Sequence, residues 1–297
     1  MAKKGIRSST GDRIFLTINT VLLTVFFIVI LYPLLYVAAS SVTGGSARTP
    51  LWLIPENFTL ASYQAVYEYK EIWIGYRNSL LYLLVGTSVS LFVTICCAYP
   101  LSVSDWKGRH VLLPMCMITM YFSGGLIPTY LVVKDLGMLN TMWAVTIPET
   151  LSITNVIIMR TFFKSQIPGE LKESAQLDGC GSIRYLVSIV LPLSGAIIAV
   201  IGMYYAVGIW NSYFSAMVYL RKRTLFPLTL FIREILIQNS TNMDEAAADL
   251  MDSMELEARR NLMKYAVIIV SSLPMLILYP FVQKFFVKGV MIGAVKG

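Results

Sequence analysis

Six runs of mostly apolar residues are spaced along the chain: Ile14–Ala39, Ser79–Val103, Val111–Val133, Trp143–Phe163, Tyr185–Ile209 and Lys264–Phe286. A helix that crosses a bilayer's hydrocarbon needs about 20 such residues. Each run reaches that length, so the pattern predicts six transmembrane helices and an all-α polytopic membrane fold. The third run contains "SGGLIP" and the fourth contains Pro148, residues that interrupt a regular helix. The first run spans about 26 residues, longer than a signal-peptide core, and no small-residue cleavage site ends it cleanly. It is expected to stay as the first span.

The connections carry their own patterns. In the long 210–263 segment, "MDEAAADLMDSMELEARRNL" places Met243, Ala247, Leu250, Met254 and Ala258 on one helical face, with acids on the other. Such a helix could lie solvated on the membrane rim or serve as a docking surface for a partner. Between the fourth and fifth runs, Glu170, Lys172, Glu173 and Asp178 fall in a chain otherwise poor in charge. This segment, 168–181, also reads as a helix. Pro168 fits a first helical position, Glu170 and Glu173 favour the early turns, and Gly179 and Gly181 fit the stop. Leu171, Ser174, Ala175 and Asp178 would share a small, mixed face suited to close protein contact. A simple cap on a loop is the plainer alternative.

Composition agrees with lipid as the main solvent. Of 297 residues, 56% are hydrophobic and 14% charged, with mean hydropathy +0.67; a soluble domain carries about 25% charged residues. The net charge of +7 does not form a nucleic-acid stripe, because Lys and Arg collect at the ends of apolar runs. With the N-terminus cytoplasmic, that side holds Lys3, Lys4, Arg7, Arg13, Lys107, Arg109, Arg160, Lys164, Lys172, Arg184, Lys284, Lys288 and Lys296. The short external connections hold Arg48, Lys70, Arg77 and Lys134. Both termini and the charged 168–181 helix are therefore expected in the cytoplasm. Cys96, Cys97 and Cys116 lie in apolar runs and Cys180 in the charged loop, which predicts no disulfide framework. His110 is the single histidine, and no metal site is expected.

The segment "ELKESAQLDGCGSIRYLVSIVLPLSGA" resembles the EAA loop of ABC-importer permeases. That loop runs E-A-A, three residues, G, a spacer of nine, then I-x-L-P. Here it reads Glu173-Ser174-Ala175, Gly179, Ile189 and Leu191-Pro192, departing at Ser174, which is still small. "AYPLSVSDWKGRH", "FSGGLIPTYLVVKDLGMLNT" and "VGIWNSYFSAMVYL" resemble the carbohydrate branch related to the maltose permease, in its LplC/YtcP-like group. The resemblance implies a type I ABC-importer (MetI-like) permease fold in a bacterial plasma membrane. It also implies a coupling helix lodged in a cytoplasmic ATPase, with roles for Glu170, Glu173, Ser174, Ala175, Asp178, Gly179 and Gly181. The implied partners are an ATPase dimer, a second permease subunit, an external sugar-binding protein and lipid, with no nucleic acid. The end, "QKFFVKGVMIGAVKG", resembles a tail that in some members reaches the ATPase interface; that role would fall to Gly289, Gly293, Lys296 and Gly297. A frayed glycine-rich terminus is the plainer reading. The implied layout is a cytoplasmic segment 1–13, a permease domain 14–288 and a tail 289–297.

No G-x-x-x-x-G-K-[ST] loop, Ser/His/Asp set, H-E-x-x-H or Cys–His cluster occurs. The chain is expected to be non-catalytic and to bind no cofactor, with ATP and Mg held by the partner ATPase. Glu149 is the clearly ionisable side chain within a run, about 9 Å from its outer end. It reads as a rim carboxylate, as part of the solute pathway, or as the coupling group of an ion-driven secondary carrier. Trp210, Asn211 and Tyr213, with Tyr204 and Tyr205 deeper, offer amide and aromatic partners for a sugar; an interfacial aromatic belt is the alternative. Gly124, Gly125 and Pro128 would allow a close contact or a gate. Arg221, Lys222 and Arg223 read as a solvated external turn, or as steering for anionic sugars such as uronic acids. The expected function is one permease subunit of an ATP-driven importer for a di- or oligosaccharide or glycan fragment. An ion-coupled carrier is the main alternative and a membrane scaffold the third.

Overall fold

The computed structural model describes residues 9–43, 53–54, 57–237, 262–280 and 283. The expected amphipathic helix 243–258 and the tail residues Gly289, Gly293, Lys296 and Gly297 lie outside them. Among the described residues the regular structure is helical, and the β contact is an isolated bridge between Thr43 and Phe58. The chain divides into two compact units, 1–69 with 235–271, and 70–234 with 272–297.

In the first unit, α1 spans Thr10–Ser41 and α2 spans Ala61–Glu68. The Ser9 N–H donates to Asp12 Oδ2 at 2.9 Å, closing the start of α1. Thr17, Thr20 and Thr24 each donate their hydroxyl to a carbonyl one turn back. That removes polar groups a lipid solvent would penalise. From Ile14 to Leu35 nearly every large apolar side chain is exposed. A 32-residue helix is about 48 Å long, more than a hydrocarbon core of about 30 Å. At its last residue, Ser41 Oγ and Tyr63 Oη share a 2.8 Å hydrogen bond that ties α1 to α2.

The second unit is built on α3, Lys70–Ser102. It packs against α7, Ile153–Gln166, and α11, Gly195–Asn211. Glycines permit the approach to α11: a Cβ on Gly86 would lie 2.8 Å from Ile209 Cδ1. Ala98, Leu101, Met159, Phe163, Ile201 and Tyr205 form the buried centre. Between α3 and α7 the chain makes α4 (Arg109–Tyr121), α5 (Leu126–Asp135) and α6 (Met142–Thr146). After α7 come α8 (Gly169–Leu177), α9 (Ser182–Tyr185), a π turn (Leu186–Val190) and α10 (Leu191–Leu193). After α11 come α12 (Phe214–Tyr219), a 3-10 turn (Arg223–Leu225) and α13 (Leu228–Ile237). The helix Leu262–Pro280 is α14.

The apolar runs are not six straight helices. Among the described residues, α1, α3 and α14 are each long and apolar enough to cross a membrane, and two bent pairs bring the number to at most five. The third run bends by 115° between α4 and α5. Gly125 takes φ +86° there, a conformation open to glycine. The fourth run breaks between α6 and α7 at the Pro148 turn, and Ser152 then caps α7. The fifth bends by 83° at Ser194, just past the π turn and Pro192. Proline lacks the N–H that a regular helix needs, and the π turn absorbs the misfit. The second helix starts nine residues before the apolar run, because Lys70, Glu71 and Arg77 lower hydropathy without opposing helix.

Candidate functional site

Helix α8 is short, and its ends are well defined. Pro168 is its N-cap, with ψ 139°, and not the first helical residue as expected; the helix starts one position later, at Gly169. At the other end Gly179 takes φ +73°. The Gly179 N–H donates to the Gln176 carbonyl at 3.0 Å, and the Cys180 N–H reaches back to Ala175 at 2.8 Å. This is a Schellman stop, and Ala175 and Cys180 supply the apolar contact that accompanies it. The expected stop at Gly179 is therefore observed.

Ala175 is 7% exposed and packs into the core of the second unit. The rest of the expected contact residues are exposed, although Leu171 and Asp178 stand one turn from Ala175 on its side of the helix. Glu170, Leu171, Glu173, Ser174, Asp178, Gly179 and Gly181 are exposed. So are two residues the sequence reading did not single out, Leu177 at 90% and Ile183 at 80%. Small polar and apolar groups thus cover the outside of α8, while one alanine anchors the inside.

Three contacts hold α8 and its flanks against the Ser102 end of α3. Lys172 Nζ lies 2.6 Å from Asp105 Oδ2. Tyr99 Oη donates to the Ser182 carbonyl at 3.2 Å, and Arg160 Nε donates to the Leu101 carbonyl at 2.9 Å. Arg160 satisfies one of the carbonyls that a helix end leaves open. The hydrogen bond from Lys172, and then its charge, hold the Asp105 carboxyl below the usual carboxylate range. A cleft of about 390 Å³ lies beside α8, lined by Tyr99, Asp105, Lys164, Lys172, Glu173 and Gln176 among others.

Of the second group of candidates, Trp210, Asn211, Tyr213 and Glu149 lie near the Asn211 end of α11, and Tyr204 and Tyr205 lie about two turns back along it. Tyr205 is buried between helices: its hydroxyl shares a 2.7 Å hydrogen bond with Thr94 and accepts the Ser152 N–H at 3.1 Å. Trp210 is buried as well, its ring 6.3 Å from that of Tyr76. Asn211 donates to the Val207 carbonyl at 2.9 Å, so its amide is partly satisfied by its own helix. Tyr204 and Tyr213 are exposed. Glu149 lies exposed in the turn between α6 and α7 and accepts a hydrogen bond from Ser215. Among the described residues no carboxylate is buried. Arg221, Lys222 and Arg223 are not equivalent: Arg223 is held by Glu71 at 2.7 Å and Glu234 at 3.0 Å, over the Phe231 ring.

No protein-family model matches the chain. Protein LplC of Bacillus subtilis (strain 168) is 38% identical over 295 residues, 98% of each chain. The polygalacturonan/rhamnogalacturonan transport system permease protein YtcP of the same strain is 38% identical over 277 residues, 93% of this chain and 96% of that one. The crystal structure of a bacterial ABC transporter involved in the import of the acidic polysaccharide alginate contains a chain with TM-score 0.84 and 30% identity. The match covers 95% of this chain and 99% of that one. The chain belongs to the carbohydrate ABC-transporter permease family.

The permease is thus a non-catalytic membrane protein with a transport role. Its Asp105–Lys172 and Arg160–Leu101 contacts were beyond sequence reasoning, since the partners lie 67 and 59 residues apart. The available signal was opposite charge in two connections expected on one side of the membrane. Nothing in the sequence of the permease distinguishes Arg223, doubly paired, from its two neighbours.

Proposed function

We propose that this permease is one of two different permease subunits of an ATP-driven carbohydrate importer, and that α8 is the helix through which an ATPase dimer drives it. The observation that carries the reading is the build of α8. One buried alanine and the Lys172–Asp105 pair fix it to the helix bundle, two further hydrogen bonds hold its flanks, and Glu173, Ser174 and Leu177 face outward. A force on that outer face passes to α7 on one side and to the α9–α11 segment on the other. The π turn and the bend at Ser194 give the latter segment a place to flex.

In this reading the chain crosses the bacterial plasma membrane six times as one domain, 14–288, with residues 1–13 and 289–297 cytoplasmic. The second permease completes the pathway, and an external binding protein delivers the solute to the 210–263 segment and the loop between the first two spans. ATP and Mg belong to the ATPase, and this chain binds no cofactor. Gly289, Gly293, Lys296 and Gly297 would add a second contact with it. Asn211, Tyr213, Tyr204 and Glu149 are candidates for the solute path, with Tyr205 and Trp210 shaping it from within the helix bundle.

The solute is proposed to be a di- or oligosaccharide or glycan fragment. The names of YtcP and of the alginate importer favour acidic sugars. Exposed Glu149 gives little support to an ion-coupled carrier, which would need a sequestered carboxylate. A photo-crosslinking residue at position 177 tests the ATPase contact in native membranes. The expected product is a covalent adduct with the ATPase subunit; adducts with lipid alone would remove the assignment.

A further inference from the structure

Arg233 stands on α13 with its side chain exposed. Its guanidinium lies 5.9 Å from the centroid of the Tyr213 ring, and its Nη1 is 2.9 Å from Met217 Sδ. Neither contact neutralises it: a thioether is a weak acceptor, and a ring face offers attraction but no counter-charge. Arg223, 10 residues earlier, is by contrast gripped by two carboxylates.

Among the described residues, the nearby acids are turned elsewhere. Glu234 follows Arg233 directly, but neighbours on a helix point about 100° apart, and Glu234 is engaged by Arg223. Glu149 is engaged by Ser215. Ser215 is two residues from both Tyr213 and Met217, about 200° around α12. Tyr213 and Met217 are one turn apart, joined by a 2.9 Å backbone hydrogen bond, and so share the face that Arg233 covers. Arg233 and Glu149 thus meet opposite sides of α12. The result, among the described residues, is an exposed cation perched beside an exposed aromatic ring, on a patch from which the acids point away.

We propose that Tyr213 and Arg233 form a subsite for the carboxylate-bearing ring of an acidic oligosaccharide, the ring of Tyr213 stacking on the sugar and the Arg233 fork taking the carboxylate. This rests on the carbohydrate-importer reading above and adds a residue basis for charge selectivity. A planar guanidinium pairs with a carboxylate in two parallel hydrogen bonds, and a sugar's C–H face packs on an aromatic ring. The thioether of Met217 and the Tyr213 ring set the position of the fork before the solute arrives.

The test uses the full transporter in cells, given a mixture of labelled trigalacturonate and its neutral methyl ester, with the amount of assembled complex measured by co-purification. Arg233→Gln is expected to lower uptake of the acid roughly tenfold while leaving the ester and assembly unchanged. Tyr213→Ala, which removes the ring, should lower acid uptake, and Tyr213→Phe, which keeps it, should lower it less. Equal loss of acid and ester in Arg233→Gln would reduce the residue to a structural role and overturn the proposal. So would unchanged acid uptake. A wild-type transporter that carries neutral oligosaccharides but no uronide would overturn the subsite and leave the importer reading standing; uptake of no carbohydrate at all would overturn both.

Discussion

Lys172 Nζ lies 2.6 Å from Asp105 Oδ2, joining the middle of α8 to the turn that follows α3. Asp105 itself is largely exposed, so the pair acts as a tether whose strength salt and pH can modulate. Its carboxyl titrates below the usual range because Lys172 donates to it. The folded value is depressed, so the tether is fully present above about pH 4 and is lost as pH falls through the depressed value. Amide exchange over 169–177, corrected for intrinsic rates, should be faster in Asp105→Asn than in wild type at pH 7. The two should converge in acid. Identical exchange at neutral pH would mean that the pair holds nothing.

Gly179 should resist substitution for a backbone reason alone. A Cβ there meets nothing within 4 Å, but φ is +73°. Gly179→Val is expected to destabilise the end of α8 by about 1–2 kcal/mol. Gly179→Asn should cost clearly less, because asparagine tolerates that conformation. Local exchange protection of Cys180 and Gly181 reads the difference, and equal effects of the two variants would show that φ is not the cause.

Gly75 is the opposite case. A Cβ would lie 2.8 Å from Phe231 Cδ2 and 2.9 Å from Leu228 Cα, and the latter is backbone that cannot swing aside. Gly75→Ala should push α13 from α3 and cost about 1–3 kcal/mol. It should also strain the Ser79 hydrogen bond to the Leu228 N–H, now 2.9 Å. Thermal stability of the purified complex measures this; an unshifted midpoint would mean that the helices can separate freely.

Tyr205→Phe should cost about 1–3 kcal/mol or more, since it strands both the Thr94 hydroxyl and the Ser152 N–H. A cycle with Thr94→Val separates the two bonds. Full additivity of the two variants would show that the 2.7 Å contact contributes nothing.

The sequence carried the membrane character and the α8 boundaries well, because hydropathy and Pro/Gly punctuation are local signals. Gly179 sits at the stop where its type demands. Helix breaks were partly legible: Gly125 and Pro148 were visible, while Pro192, beside the bend at Ser194, was read only as part of a motif and the π turn before it has no residue signature. Among the proposed solute contacts, the adjacent Tyr204 and Tyr205 read alike, yet one is exposed and the other buried. Along a helix that is apolar all round, the pattern does not say which face meets protein. Arg233 escaped notice for a related reason: its significance lies in the acids that α12 and Arg223 draw away from it.

The central claim is that the outer face of α8 seats the ATPase. The direct measurement is co-purification of the tagged Glu173→Arg variant from native membranes in mild detergent, beside wild type, with solute uptake measured in the same cells. Wild type should bring down an ATPase and a second permease. The variant should keep the second permease, lose the ATPase and lose uptake. An ATPase bound at the wild-type ratio with normal uptake, or a wild-type chain that comes out alone, would contradict the account.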